Sequence, residues 1–128
     1  MKRLISLMIL IVAAIATTAA QNHIDSLVDN FSSQGNSTFT SAVERDSKTN
    51  RIKKVVKRLV TEGKTSNELR KAFEAEKHIG TFSEKFENNV RVFMLTTHDS
   101  RTNRIYMLRL ENERFYPKSE TTIIIKFK

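Results

Sequence analysis

Arg51-Ile52-Lys53-Lys54-Val55-Val56-Lys57-Arg58-Leu59-Val60 is the stretch that decides the fold. Read as helix, Ile52, Val55, Val56, Leu59 and Val60 gather on one face, opposite Lys53, Lys54, Lys57 and Arg58. Read as strand, the same segment draws on the β-branched side chains of four of its five apolar residues, which favour extended chain. An internal echo favours the strand. Asp46–Ile52, DSKTNRI, returns as DSRTNRI over Asp99–Ile105, and the residues after the second copy, Ile105 to Leu110, have plain strand character. If both copies are hairpin turns, the chain reads as two degenerate helix-plus-hairpin units, the second enlarged by extra strands. The competing explanation is one good turn used twice, and a helix over 51–60 stays the competing local reading.

Upstream, Ile24, Leu27, Val28 and Phe31 recur at the spacing of one helical face, with Asn22 as candidate cap and Gly35 as the stop. Asp25, Ser26, Asp29 and Asn30 are expected to face water. Thr38 to Arg45 changes period, with Phe39 and Val43 on one side of a strand, and Asp46 to Asn50 has turn composition. Downstream, Ser66 is the candidate cap of a second helix carrying Leu69, Ala72 and Phe73, which Gly80 ends. Strands follow over Thr81 to Glu87, Val90 to Thr97, Ile105 to Leu110 and Thr121 to Phe127, with an Asn88-Asn89 turn and a polar loop around Pro117. The expected fold class is α+β, an antiparallel sheet with two helices packed on one face.

The front of the chain predicts export. Met1-Lys2-Arg3 is a cationic head, Leu4 to Ala16 an apolar run too short to span a bilayer, and Thr17 to Ala20 a small-residue cleavage region. Residues 1–20 are expected to leave as a signal peptide, and residues 21–128 to form a single domain, periplasmic or extracellular and soluble, with no transmembrane segment. The chain has no cysteine, so neither a lipid-modified cysteine nor a disulfide is available. Removing 1–20 lowers the net charge from +8 to +6, a surplus that attracts polyanions without selecting among them.

The chemistry-bearing residues are sparse. His23, His78 and His98 stand far apart and no thiol joins them, which disfavours a metal site. His98-Asp99-Ser100 are neighbours in a turn, where side chains diverge, whereas a catalytic triad is assembled from separated positions. Gly35, Gly63 and Gly80 form no phosphate-cradling pattern, so no nucleotide cofactor is expected. Glu74 with Glu76, and Glu111 with Glu113, sit in polar segments that favour solvated charge over acid–base work. Asn36-Ser37-Thr38 matches the N-glycosylation pattern, relevant only to a eukaryotic secretory route. The candidate contact for a polyanion or other partner is Arg51, Lys53, Lys54, Lys57 and Arg58, which on a strand divide between both faces. Charged edge strands also simply block aggregation.

Taken together, Gln21-Asn22-His23-Ile24-Asp25-Ser26-Leu27-Val28-Asp29 after the signal, the Phe39 to Val43 strand, the Arg104 to Leu108 strand and the Thr121 to Ile125 terminus resemble a family of small exported Bacteroidetes-type proteins classed as a domain of unknown function. The resemblance implies a Gram-negative envelope or extracellular setting and supplies no activity. Three classes follow: a noncatalytic binding or accessory module for a protein, peptide or glycan of the envelope, using an open sheet face or edge; a protease inhibitor-like blocker presenting the Glu111 to Ser119 loop with Phe115, Tyr116 and Pro117; and a hydrolase of unrecognised kind. Nucleic acid is disfavoured as a partner.

Overall fold

The computed structural model describes residues 23–35 and 37–128. The signal segment 1–20, the Asn22 cap and the Asn36 glycan acceptor lie outside the described residues. Elements follow in the order α1 (His23–Phe31), β1 (Thr38–Arg45), β2 (Ile52–Glu62), α2 (Lys64–Glu76), a 3-10 turn (Lys77–Ile79), β3 (Thr81–Glu87), β4 (Val90–His98), β5 (Thr102–Glu111) and β6 (Lys118–Phe127). The six strands make one sheet in the order β1-β2-β6-β5-β4-β3, every pair antiparallel. The fold is α+β. The last strand enters between β2 and β5, and thereby fuses the first hairpin and the later meander into one sheet.

The decisive stretch is strand: Ile52–Glu62 runs extended, with Leu59 and Thr61 buried two residues apart. Its β-branched residues fit a pleated surface, and the helical spacing of its apolar residues is overridden by pairing on both sides. Register then fixes which side chains share a face. One row runs Phe39, Leu59, Thr121, Leu108, Phe93 and Glu84 across the six strands, and the next runs Ser41, Lys57, Ile123, Tyr106, Leu95 and Phe82. Ile24, Val28 and Phe31 of α1 and Leu69, Ala72 and Phe73 of α2 are buried in the same cluster as Leu59, Phe93, Leu95, Tyr106, Leu108 and Ile123. Each of the Ile, Val, Leu and Phe side chains among them stabilises the fold by roughly 1.5–3 kcal/mol through burial. Contacts from the helices reach this face at Phe73–Phe93, with ring centroids 6.2 Å apart, at Ser66–Ser119 and at Asp25–Tyr106.

Several local expectations are corrected. Asp25 does not face water: it is 2% exposed and accepts a hydrogen bond from Tyr106 of β5. The first helix stops at Phe31, before Gly35, where the Ser32 and Ser33 hydroxyls turn back onto the carbonyls of Asp29 and Asn30. Ser66 is not a cap, because α2 starts at Lys64 behind Gly63. Its hydroxyl is buried and donates to the Thr61 carbonyl at 3.1 Å, which leaves Ser119 to donate to Ser66 at 2.9 Å. Gly63 is needed there, since its φ of 74° is a backbone state that side chains disfavour. At Gly80 the need is space, because a Cβ would stand 2.2 Å from the Thr96 carbonyl oxygen.

The two heptapeptides begin alike and end differently. Asp46 Oδ1 accepts the Lys48 and Thr49 amides at 2.8 and 2.9 Å, and Asp99 Oδ1 accepts the Arg101 and Thr102 amides at 2.7 Å each. The first loop then continues through Asn50 in the left-handed region, φ 61°, and closes with the Asp46 amide on the Arg51 carbonyl. The second closes at once, with the Asp99 amide on the Thr102 carbonyl, so that Asn103 and Arg104 already belong to β5.

Candidate functional site

The five predicted cations do not converge. Arg51 is exposed in the first hairpin loop. Lys53 stands where the β1–β2 register slips, and it shares Glu44 with Lys54 at 3.8 and 3.6 Å. Lys57 shares the helix-contacting face with Leu59 and approaches Asp29 of α1 at 3.5 Å. Arg58 lies on the opposite face and binds Glu120, with its Nε donating at 2.9 Å. Four of the five therefore have a carboxylate within reach, and exposed pairs of this kind offset much of the local field.

The opposite face of the sheet carries a second set of aligned rows. Ala42, Val56, Ile124, Ile105 and Thr96 form one, and Thr40, Arg58, Thr122, Met107 and Met94 the next. Lys54, Lys126 and Asn103 border the first row. Val56, Ile105, Met107 and Ile124 are half-buried by their own neighbours and Met94 is exposed. None of the helix contacts described above falls on this face. Lys54 and Arg58 from the predicted set thus flank an apolar stripe of Val56, Ile124, Ile105, Met107 and Met94, which composition does not reveal, because strand pairing brings four distant segments together.

A separate cleft of about 540 Å3 opens between the Asn88-Asn89 hairpin and the Asn112–Pro117 loop, lined by Phe86, Asn89, Arg91, Asn112, Glu113 and Phe115 among others. Phe115 is 91% exposed and Phe86 63%. The loop is held by the Phe115 amide on the Asn112 carbonyl and by the Gly63 amide on the Pro117 carbonyl at 2.7 Å. Glu113 is not freely solvated. It lies 3.2 Å from Arg91 Nε and 3.8 Å from Arg70 Nε, within charge attraction but, at Arg91, without hydrogen-bond alignment. Among the described residues that line the cleft there is no Ser, Cys or His, and Glu113 is its one carboxylate.

Tyr106 Oη donates to Asp25 Oδ2 at 2.8 Å, and Arg104 Nη1 lies 3.7 Å from the same oxygen. Burial, reinforced by the Asp25 charge, raises the Tyr106 phenol well above its ordinary range. The signal for this cluster was the tyrosine itself, since a buried phenol needs a hydrogen-bond partner. His98-Asp99-Ser100 makes no relay, because the Asp99 carboxylate is committed to the backbone of its own turn, which holds it below the usual carboxylate range. Among the described residues no group of three His, Cys, Asp or Glu could hold a metal ion, and no helix is long and apolar enough to cross a membrane.

Comparison with known protein families, with curated proteins and with solved structures finds no match to this chain.

Proposed function

We propose that the chain is an exported, noncatalytic binding or accessory module, trimmed of residues 1–20 and working in the periplasm or outside the cell on a protein of the envelope. The observation that carries this reading is the apolar stripe Val56, Ile124, Ile105, Met107 and Met94, on the sheet face that the helix contacts avoid. Both helices cover the other face in this reading, so the stripe is the natural docking surface, and the flanking Lys54, Arg58 and Lys126 favour an acidic rim on the partner. A protein surface suits flat rows of aliphatic side chains better than a glycan does, since sugars are held by aromatic platforms and convergent polar groups. The resemblance to small exported Bacteroidetes-type proteins agrees with an envelope setting.

Two degenerate helix-plus-hairpin units find support in the order helix, hairpin, helix, meander, and less in the turns, whose closures differ.

A blocker of an enzyme cleft is the second reading, favoured in the Glu111 to Ser119 loop by the backbone hydrogen bonds of Phe115 and Pro117 and by Phe115 being almost fully exposed. Retention of envelope proteins by immobilised residues 21–128, at low and at moderate salt, tests the proposal. A partner kept at moderate salt supports it, whereas loss of every partner leaves only nonspecific charge attraction.

A further inference from the structure

We propose that two copies of this chain pair antiparallel through the free edge of β1, joining their sheets into one of twelve strands. Among the described residues β1 and β3 are the outer strands of the sheet, and they differ in how they guard their edges. At one end β3 reads Thr-Phe-Ser-Glu-Lys-Phe-Glu, with charges at Glu84, Lys85 and Glu87. At the other, β1 carries no charge and no proline from Thr38 to Val43, and its one register slip comes only at Glu44/Arg45. An edge left without charge, proline or bulge over six residues is a template for another strand.

The sequence of the edge selects its own copy as that strand. A two-fold axis midway between the Ser41 residues of the two copies sets Phe39 opposite Val43 of the second copy, twice, on the helix-contacting face, and Thr40 opposite Ala42 on the other. Val43 is 50% exposed and Phe39 half-buried, so each ring covers the other copy's open valine. Aromatic and β-branched side chains are a favourable cross-strand pair. Glu44 falls opposite Thr38, so no like charges meet. Self-complementarity about one residue is what an isologous interface requires.

The chain lacks cysteine, so single cysteines report the register directly. In the full mature chain, Ser41→Cys places two thiols across the axis, at a Cα separation of about 4.5–5.5 Å that a disulfide accepts. Thr40→Cys leaves them farther apart than the roughly 7 Å a disulfide spans, and Ser83→Cys on β3 controls for collision. Rapid disulfide-linked dimer from Ser41→Cys alone is expected under mild oxidation. Sedimentation of the unmodified chain should show a concentration-dependent dimer, weakened about fivefold or more by Ser41→Lys. Equal linking of all three cysteine variants, or a monomer at every concentration, overturns the proposal. So does a monomer that takes up a foreign extended peptide along β1. This surface is distinct from the apolar stripe, so either reading can fail alone.

Discussion

The Tyr106 hydroxyl donates to Asp25 Oδ2 at 2.8 Å, bonding the middle of β5 to the first turn of α1 across 81 residues of sequence. Arg104 lies beside the same carboxylate, and all three side chains are buried. A buried carboxylate so close to a guanidinium and a phenol fixes the seat of the helix, because any shift of α1 strands polar groups away from water. Tyr106→Phe keeps the ring and removes the donor. It is expected to cost about 1–3 kcal/mol in urea unfolding, with the same m-value as the parent.

Gly80 is expected to be the least replaceable glycine. Gly80→Ala drives a methyl group against the Thr96 carbonyl, and overpacking of this kind typically costs about 1–3 kcal/mol. Gly63→Ala is expected to lose about 1–2 kcal/mol through the clash of its new Cβ at positive φ. Gly35→Ala, with nothing within 4 Å of the added carbon, should leave the unfolding midpoint unchanged. Chemical denaturation of the three variants side by side gives the order.

Acid should loosen both heptapeptide turns. Backbone amides of Thr49 and then Lys48 lower the pKa of Asp46 from 3.8, and those of Arg101 and then Thr102 lower that of Asp99. A carboxylate depressed by folding stabilises fully above its unfolded value, and that contribution is lost as pH falls through the folded value. Stability from both turns is thus complete at neutral pH and fades below about pH 4. Amide chemical shifts of Lys48, Thr49, Arg101 and Thr102 should move together in that range, and Asp46→Ala with Asp99→Ala should flatten the acid limb of the stability curve.

The cations of β2 are expected to matter little for stability. Arg58→Ala removes an exposed pair with Glu120 and should cost at most about 1 kcal/mol. Raising the salt concentration should shrink the difference, as thermal unfolding of the two proteins at two ionic strengths will show.

Much of the architecture was legible in the chain because the apolar periods are local: Ile24, Val28 and Phe31 at helical spacing, Ile123 and Ile125 at strand spacing. Helix ends were less legible. Ser66 has the chemistry of a cap, yet the turn at Gly63 starts α2 earlier and sends the hydroxyl to Thr61 and Ser119 instead. Asp25 looked solvated because its partner Tyr106 is distant in sequence. The apolar stripe was hidden for the same reason. Val56, Met94, Ile105 and Ile124 come from four strands, and only the insertion of β6 between β2 and β5 lines them up. Of the predicted basic set, Lys54 and Arg58 flank that stripe, while Lys57 turns toward α1.

The most direct measurement compares envelope proteins retained at moderate salt by residues 21–128, by a variant carrying Ile105→Lys with Met107→Lys, and by Phe115→Ala, after circular dichroism shows all three folded. A specific partner held by the parent and by Phe115→Ala, and released by the paired lysine variant, is the expected result. Retention of that partner by the lysine variant and its loss from Phe115→Ala would contradict docking through the sheet and assign the contact to the Asn112–Pro117 loop.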